Sequence, residues 1–180
     1  MPTNLTPHFT LEELTFSQLA ARKGIDNSAT PEIVKNLKRL ASTLEEIRAL
    51  LGNKVIIVSS AYRSPQVNTL IGGSATSAHQ FGLAVDFTSP QFGSVYDIAK
   101  KIVGSKIEYD QLIFEFNSWV HVGLAADGKT PRRQALSIFK SGNYLPGILP
   151  PPGSPAPATS ATPASSSTTA DPAILAMFKQ

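Results

Sequence analysis

The chain has 180 residues, a formal net charge of +3 and no cysteine. The absence of cysteine excludes disulfides and thiolate metal sites, so any metal ion must be held by histidine and carboxylate side chains. The mild positive charge suits a polyanionic cell wall, but no basic run indicates a nucleic-acid partner, and no apolar stretch is long enough to span a membrane.

The first third of the chain carries helix signals. Residues 10–13 have the pattern of a capping box, which predicts a short helix, and Gly24 ends either this helix or the loop after it. Thr30-Pro31 then places a capping hydroxyl before a proline at the first helical position. Apolar residues recur at helical spacing from there to a predicted end at Gly52, and they predict the longest helix, which we interpret as scaffold. These apolar residues are Ile33, Leu37, Leu40, Leu44, Ile47 and Leu51.

Strands and shorter helices follow this scaffold. Residues 55–59 form a β-branched apolar run that predicts a buried strand. Ser64-Pro65 starts a short helix, and Ser94 opens an amphipathic helix that Gly104 closes. The remaining predicted strands cover residues 83–87, 112–116, 119–124 and 134–139, the second and third of these joined as a hairpin around Asn117-Ser118.

The composition changes sharply after Tyr144. Residues 146–172 are dominated by Pro, Ala, Ser, Thr and Gly and cannot bury enough apolar surface to fold. We therefore predict a folded domain over residues 1–145, a flexible linker over 146–170 and a short apolar helix over 171–180. That helix is too short to be stable alone, so it would dock on the domain or on a protein partner. We expect the whole tail to be dispensable for chemistry.

The most informative stretch brings an imidazole and a carboxylate close together. His79 precedes Gly82, which permits a sharp backbone turn, and Asp86 follows in a predicted strand. Alternation along that strand puts Asp86 on the face opposite its large apolar residues. The turn would allow His79 to fold back towards Asp86.

A second histidine, His121, follows Trp119 at a spacing that puts both side chains on one face of a strand. His79, Asp86 and His121 would then supply three ligands to one zinc ion and leave a further position open for water, as in catalytic zinc sites. The alternative is two polar loop histidines and an aspartate at a strand end. We interpret the remaining histidine, His8, as incidental.

Three motifs carry a resemblance to a known family: Ser60-Ala61-Tyr62-Arg63-Ser64-Pro65, Ser77-x-His79-x-x-Gly82-x-Ala84-x-Asp86 and Trp119-Val120-His121-Val122. Over about residues 5–143 the chain resembles the zinc D-alanyl-D-alanine carboxypeptidases, above all their compact bacteriophage-type members. These enzymes share a metal site with the hedgehog signalling domain and with lysostaphin-type peptidases. The resemblance implies an α+β fold in which a small antiparallel sheet carries the metal site and packs against several helices. It also implies one zinc ion per chain and a peptidoglycan stem peptide as substrate.

Several side chains are candidates for contacts with the substrate. Arg63 ends a predicted strand just before the ligand loop, and its fixed charge suits an oxyanion or a substrate carboxylate, although a surface ion pair is the alternative. Ser77 is expected to bond within the ligand loop or to substrate. Tyr62 and Trp119 are either core aromatics or substrate contacts. Three further charged residues are expected to be solvated or to rim the cleft: Asp127, Arg132 and Arg133.

The general base departs from the pattern of the family. Many relatives carry an acidic residue three positions before the last histidine, where this chain has Ser118, and serine cannot take a proton at neutral pH. The nearest carboxylates are Glu115 and Asp110. A two-residue turn at Asn117-Ser118 would put Glu115 on the face opposite His121, whereas a three-residue turn would put it beside the metal. We predict that Glu115 is the catalytic acid and base.

The candidate site residues and the resemblance together imply a zinc peptidase that hydrolyses peptidoglycan stem peptides or cross-links. It would act as a D-Ala-D-Ala carboxypeptidase or a murein endopeptidase, in phage lysis or cell-wall penetration. The alternative is a zinc-containing module that binds cell wall or protein without catalysis, including a virion component. We expect a monomer without a signal peptide, made in a bacterial cytoplasm and acting on the wall after release or as part of a virion.

Overall fold

A computed structural model describes residues 2–140 and 142–154 of the chain. Within these ranges the chain forms five α-helices, one 3-10 turn and six strands. The helices are α1 (Leu11–Thr15), α2 (Gln18–Lys23), α3 (Pro31–Leu50), α4 (Pro65–Leu70) and α5 (Val95–Val103), and the 3-10 turn is Ala78–Phe81. The strands are β1 (Ile57–Ser60), β2 (Ala84–Thr88), β3 (Gln111–Glu115), β4 (Trp119–Gly123), β5 (Gln134–Ile138) and β6 (Tyr144–Pro146). None of the helices in the described part of the chain has the length and apolar character needed to cross a membrane.

Side-chain caps start α1, α3 and α5 where the sequence predicts them, whereas α4 follows the predicted Ser64 without a capping hydrogen bond from its side chain. At the start of α3 the Thr30 hydroxyl accepts a hydrogen bond from the Ile33 N–H at 3.3 Å. α5 begins at the predicted Ser94, which forms a reciprocal capping box with Asp97. α3 ends at Leu50, slightly before the predicted end, and Gly52 adopts a φ of +70°, a left-handed conformation that glycine takes without strain.

The six strands form one sheet in the order β1-β2-β4-β3-β5-β6. All neighbouring strands are antiparallel except β3 and β5, which are parallel. Because β4 already has β2 and β3 as neighbours, β5 does not pair with β4 and joins the free edge of β3. Residues 124–133 stay at the end of the sheet where β4 ends and β3 begins, so β5 runs in the direction of β3. The predicted α+β class is confirmed, with a mixed sheet in place of the antiparallel one expected.

β1 is an edge strand, which corrects the expectation of a fully buried run. Val55 and Ile57 are 54% and 52% exposed, whereas Ile56 and Val58 turn towards the core. Only one face of this edge strand meets the core, so alternate residues point to solvent. The apolar, β-branched composition that suggested burial reflects strand propensity at these exposed positions.

One face of the sheet forms the hydrophobic core together with α3 and α5. Val85 and Phe87 of β2 and Val120 and Val122 of β4 are fully buried in this core. The alternate residues of the same strands lie on the opposite face, as the predicted alternation requires. That opposite face carries the candidate site.

The folded domain extends further than the sequence predicted. β6 pairs with β5, so Pro146 belongs to the sheet and not to a linker. The Ser137 hydroxyl donates to the Gly147 carbonyl at 2.8 Å and accepts from the Leu149 N–H at 2.9 Å, which secures the residues after β6. The linker therefore does not begin at residue 146. The part of the predicted linker beyond residue 154 and the predicted helix over 171–180 lie outside the described residues.

Candidate metal centre and active site

His79 lies in the 3-10 turn that precedes β2. Its Nδ1 donates a hydrogen bond to the Ala61 carbonyl at 2.7 Å, so its Nε2 faces Asp86 Oδ1, at 3.3 Å. Burial lowers the pKa of His79 and favours the neutral ring that binds metals. Gly82 ends the turn with a φ of +65°, and a Cβ at that position would lie 3.1 Å from atoms of α3. The turn therefore needs glycine both for its backbone angle and for space.

Asp86 and His121 are direct partners on the neighbouring strands β2 and β4. His121 Nδ1 and Asp86 Oδ1 are 2.8 Å apart. Burial alone raises the pKa of Asp86, but His79 and His121 outweigh it and hold that pKa well below its usual range. Burial alone lowers the pKa of His121, and the hydrogen bond and charge of Asp86 outweigh it and raise that pKa. The carboxyl group is therefore ionised between two imidazoles.

These three residues have the geometry and chemistry of a metal site. One ligand atom from each lies within 4.8 Å of the ligand atoms of the other two. Two imidazoles and one carboxylate are a donor set that zinc accepts, and three protein ligands leave a further position for water or substrate. His79, Asp86 and His121 thus fit a catalytic metal ion.

Arg63 holds the second oxygen of Asp86. Its Nη2 donates to Asp86 Oδ2 at 2.7 Å, and its Nε donates to the Ser60 hydroxyl at 2.8 Å. The side chains of Arg63 and Asp86 are 12% and 9% exposed, so this ion pair is buried and is not the surface pair considered as the alternative. Its Nη1 is buried and has no hydrogen-bond partner among residues 2–140 and 142–154. Arg63 therefore fixes the orientation of Asp86, one of the three candidate ligands.

The turn between β3 and β4 decides on which face Glu115 lies. Glu115 pairs with Trp119, so the turn contains three residues, 116–118. Phe116 and Asn117 have φ angles of +52° and +56°. Of the two turns that the sequence left open, the structure contains the three-residue one, and it puts Glu115 on the same face as His121.

The Glu115 carboxyl is buried next to the ligand group. Its Oε2 accepts a hydrogen bond from Trp119 Nε1 at 3.0 Å. Burial, followed by the negative charge of Asp86, raises the pKa of Glu115 to about 7. A carboxyl group with such a pKa can both take up and release a proton near neutral pH. Asp110, the other carboxylate considered, is instead bound by Arg132, whose hydrogen bonds lower the pKa of Asp110.

An open cleft of about 680 Å³ runs over this face of the sheet, with the three ligands along it. Arg63, Ser77 and Trp119, three of the predicted substrate contacts, line the cleft. Tyr62, the fourth, is 5% exposed and belongs to the hydrophobic core cluster. Its expected role as a substrate contact is corrected, because its ring is packed inside the domain and does not reach the cleft.

The charged residues after β4 take different positions. Arg132 lines the cleft while it binds Asp110. Asp127 pairs with Lys35 at the surface at 3.0 Å, and both side chains are well exposed. Arg133 lies over the Tyr109 ring, 4.8 Å from its centre. Of these three residues, only Arg132 rims the cleft.

Sequence reasoning misses several residues that line the cleft, among them Gln111, Ile113, Phe116 and Tyr144. Gln111 and Ile113 alternate with Glu115 along β3, so the spacing of that strand could have revealed them. Tyr144 gives no such signal, because β6 is three residues long and precedes a proline-rich segment.

The family model for peptidase M15 matches residues 7–123 of the chain. The chain belongs to the M15 peptidase family. The match covers well over half of the chain and includes His79, Asp86 and His121. Membership indicates a metal-dependent peptidase. No curated protein matches the chain at a significant level.

The M15 match ends at the last residue of β4. It therefore includes the ligands, Arg63 and Glu115. β5 and β6 lie beyond the match, and so do Arg132 and Tyr144, which line the cleft. In this M15 peptidase, segments that follow the matched region therefore contribute residues to the lining of the cleft.

Proposed function

We propose that the protein is a zinc-dependent murein peptidase that hydrolyses peptide bonds in peptidoglycan stem peptides or cross-links. One observation carries the proposal: a buried carboxyl with a pKa of about 7, Glu115, lies on the same face as three converging metal ligands in an open cleft. Membership of the M15 family supports peptide hydrolysis, and the motif resemblance to D-Ala-D-Ala carboxypeptidases supports the murein substrate.

The chain's own residues supply the proton transfers. A zinc ion held by His79, Asp86 and His121 would supply an activated water and polarise the peptide carbonyl. Glu115 takes the proton from the attacking water and returns it to the amine that leaves. A group that does both works best with a pKa near the operating pH, which burial gives Glu115. Trp119 holds the carboxyl in place through its indole N–H.

Arg63 has two roles in the proposed hydrolysis. It fixes Asp86 through Nη2, which keeps the ligand carboxylate in one orientation. Its guanidinium group, which lines the cleft, supplies a fixed positive charge for the negative charge that develops on the substrate carbonyl oxygen. Ser77 and Trp119 stand on the walls of the cleft, where a bound peptide would contact them.

The cleft has room for peptide on both sides of the ligand group. It includes β3 from Gln111 to Glu115, and His121 pairs with Ile113 in the middle of that strand. Four residues of a strand span about 13 Å. The proposal accordingly covers both a carboxypeptidase that removes a terminal D-alanine and an endopeptidase that cuts an internal bond, in phage lysis or cell-wall penetration.

The alternative function is a zinc-containing binding module without catalysis. The discriminating feature is whether a carboxyl group lies beside the ligands, because Ser118 replaces the acidic residue that many relatives carry. Glu115 is such a carboxyl, on the ligand face and buried, whereas Ser118 is an exposed turn residue. This arrangement favours the enzyme.

Digestion of purified peptidoglycan tests the proposal. The protein is incubated with the sacculi with and without a chelator, beside a Glu115→Gln variant, and the soluble products are identified by mass spectrometry. We expect wild-type protein to release products of peptide cleavage, and we expect chelator or Glu115→Gln to suppress them. Intact sacculi with metal-loaded wild-type protein, together with binding to them, would favour the binding module instead.

A further inference from the structure

Tyr144 occupies the cleft although it comes from the last described strand, beyond the M15 match. The register explains how it reaches the site. Glu115 of β3 pairs with Ile138 of β5, and Ile138 pairs with Tyr144 of β6. Directly paired residues on neighbouring strands point to the same face, so all three side chains lie on the face of the metal ligands.

Tyr144 contributes a phenol hydroxyl, a hydrogen-bond donor, to the lining of the cleft. The side chain is half-buried, and its hydroxyl makes no hydrogen bond to any other described residue. Burial, with the negative charges of Glu115 and Asp86, raises the pKa of Tyr144. The phenol therefore keeps its proton throughout the physiological pH range and can donate it to a ligand.

We propose that the Tyr144 hydroxyl donates a hydrogen bond to a backbone carbonyl of the bound stem peptide, on the Glu115 side of the metal ligands. This inference rests on the proposed function. The acceptor is a neutral amide carbonyl because Glu115 and Asp86 stand nearby and disfavour an anionic group at this end of the cleft. Of the two arginines that line the cleft, Arg63 is already paired with Asp86, and Arg132 lies beyond Gln111 at the other end of β3. The strand that follows the family core thus becomes part of the substrate-binding surface.

Equilibrium binding to the metal-free protein tests Tyr144 without turnover. A synthetic stem pentapeptide ending in D-Ala-D-Ala is titrated calorimetrically into wild-type protein, Tyr144→Phe and Tyr96→Phe. Tyr96 is the matched control, because its ring packs on Phe114 in the core and its hydroxyl also makes no hydrogen bond to a described residue. We expect Tyr144→Phe to raise the Kd by about two- to tenfold, the usual effect of one hydrogen bond, and Tyr96→Phe to leave it unchanged.

A second series separates direct contact from a structural effect. Pentapeptides in which one carbonyl at a time is reduced to a methylene are titrated into wild-type protein and Tyr144→Phe. One of these peptides should bind both proteins equally, because the acceptor is then missing. We also expect thermal stability and zinc content of Tyr144→Phe to match wild type, since no hydrogen bond to a described residue is lost.

Three other outcomes would overturn the inference, and one of them would overturn the proposed function as well. Equal affinity of wild-type protein and Tyr144→Phe for the parent peptide overturns this inference, and peptidoglycan hydrolysis by the same preparation leaves the proposed function intact. Unfolding of Tyr144→Phe, seen by circular dichroism, also overturns it, because the hydroxyl would then have a structural role. Wild-type protein that neither binds nor cleaves any stem peptide overturns both the inference and the proposed function.

Discussion

Glu115 and Trp119 face each other across the β3–β4 hairpin, and the indole Nε1 donates to Glu115 Oε2 at 3.0 Å. The pair exists because the turn has three residues, which brings both side chains to the face of His121. The hydrogen bond holds one carboxyl oxygen, and the other stays available for proton transfer. Two predictions follow from this pair of residues.

The first prediction concerns Glu115→Gln. The amide keeps the shape and the hydrogen bond to the indole but cannot carry a proton, so fold and zinc content should be retained. Loss of general acid–base help costs about a hundredfold to ten-thousandfold, and we expect kcat to fall by that factor on a soluble muropeptide. Asp110→Asn is the control and should change kcat much less, because Asp110 binds Arg132. Full activity of Glu115→Gln would mean that another group carries the proton.

The second prediction concerns Trp119→Phe. The indole hydrogen bond stabilises the ionised form of Glu115, so its loss raises the pKa of Glu115 further. The acidic limb of the pH profile of kcat/KM should therefore move to higher pH in Trp119→Phe, while zinc content stays the same. An unchanged acidic limb would show that the limb reports a group other than Glu115.

The candidate metal ligands on the strands were predictable because the alternation of side chains and the ligand chemistry indicate the same residues. Two strands with apolar residues on one face must present Asp86 and His121 on the other, and the structure pairs these two residues directly. Gly82 marked the backbone turn before the strand, because few other residues accept its φ of +65°.

The length of the hairpin turn was not predictable in the same way. The turn needs Phe116 at a φ of +52°, a conformation that a bulky residue seldom adopts, so local preference gave no support to the turn that is present. Pairing across the whole sheet, from β2 to β5, overrides that local preference. Tertiary structure therefore decides on which face of the sheet Glu115 lies.

The sequence did not predict β6, the edge strand at the C-terminal side of the sheet, because of the composition around it. Pro146 and the prolines after it resemble a linker, but an edge strand tolerates proline because one side of its backbone has no neighbour. The partners of β6 lie on β5, including Ser137, and they cannot be read from the local sequence. Because the strand was not predicted, Tyr144 was not predicted as a cleft residue either.

Truncation tests the revised boundary. A chain ending at residue 154 retains β6 and Leu149, so we expect wild-type stability and kcat/KM on a soluble muropeptide. A chain ending at residue 143 loses β6, Tyr144 and the partners of Ser137, and we expect its Tm to fall by about 5 °C or more. Its kcat/KM should fall as well. Equal behaviour of the two truncated chains would show that β6 is not part of the working domain.

The pH dependence of stability tests the environment of Glu115 in metal-free protein. The pKa of Glu115 is about 7 in the folded chain, against an ordinary value of 4.5. A raised pKa contributes stability fully below pH 4.5, and this contribution is lost as the pH rises through 7. A difference of 2.5 pKa units corresponds to about 3 kcal/mol.

Denaturant unfolding of metal-free wild-type protein and Glu115→Gln isolates this contribution. The free energy of unfolding of Glu115→Gln, relative to wild type, should rise by a few kcal/mol between pH 4.5 and 8, about 3 at most. The other titrating groups of the site are present in both proteins, and His121, whose pKa the charge of Glu115 raises, is the one that Glu115→Gln affects. A difference that stays constant over this range would mean that Glu115 ionises normally.

The metal content of purified protein tests the central claim most directly. Zinc per chain is measured by mass spectrometry for wild-type protein and His121→Ala, with His8→Ala as the control because His8 pairs with Glu45 away from the ligand group. The account predicts one zinc ion per chain in wild-type protein and in His8→Ala, and the loss of most of it in His121→Ala. Full retention of zinc in His121→Ala, or its absence from zinc-supplemented wild-type protein, would contradict the account.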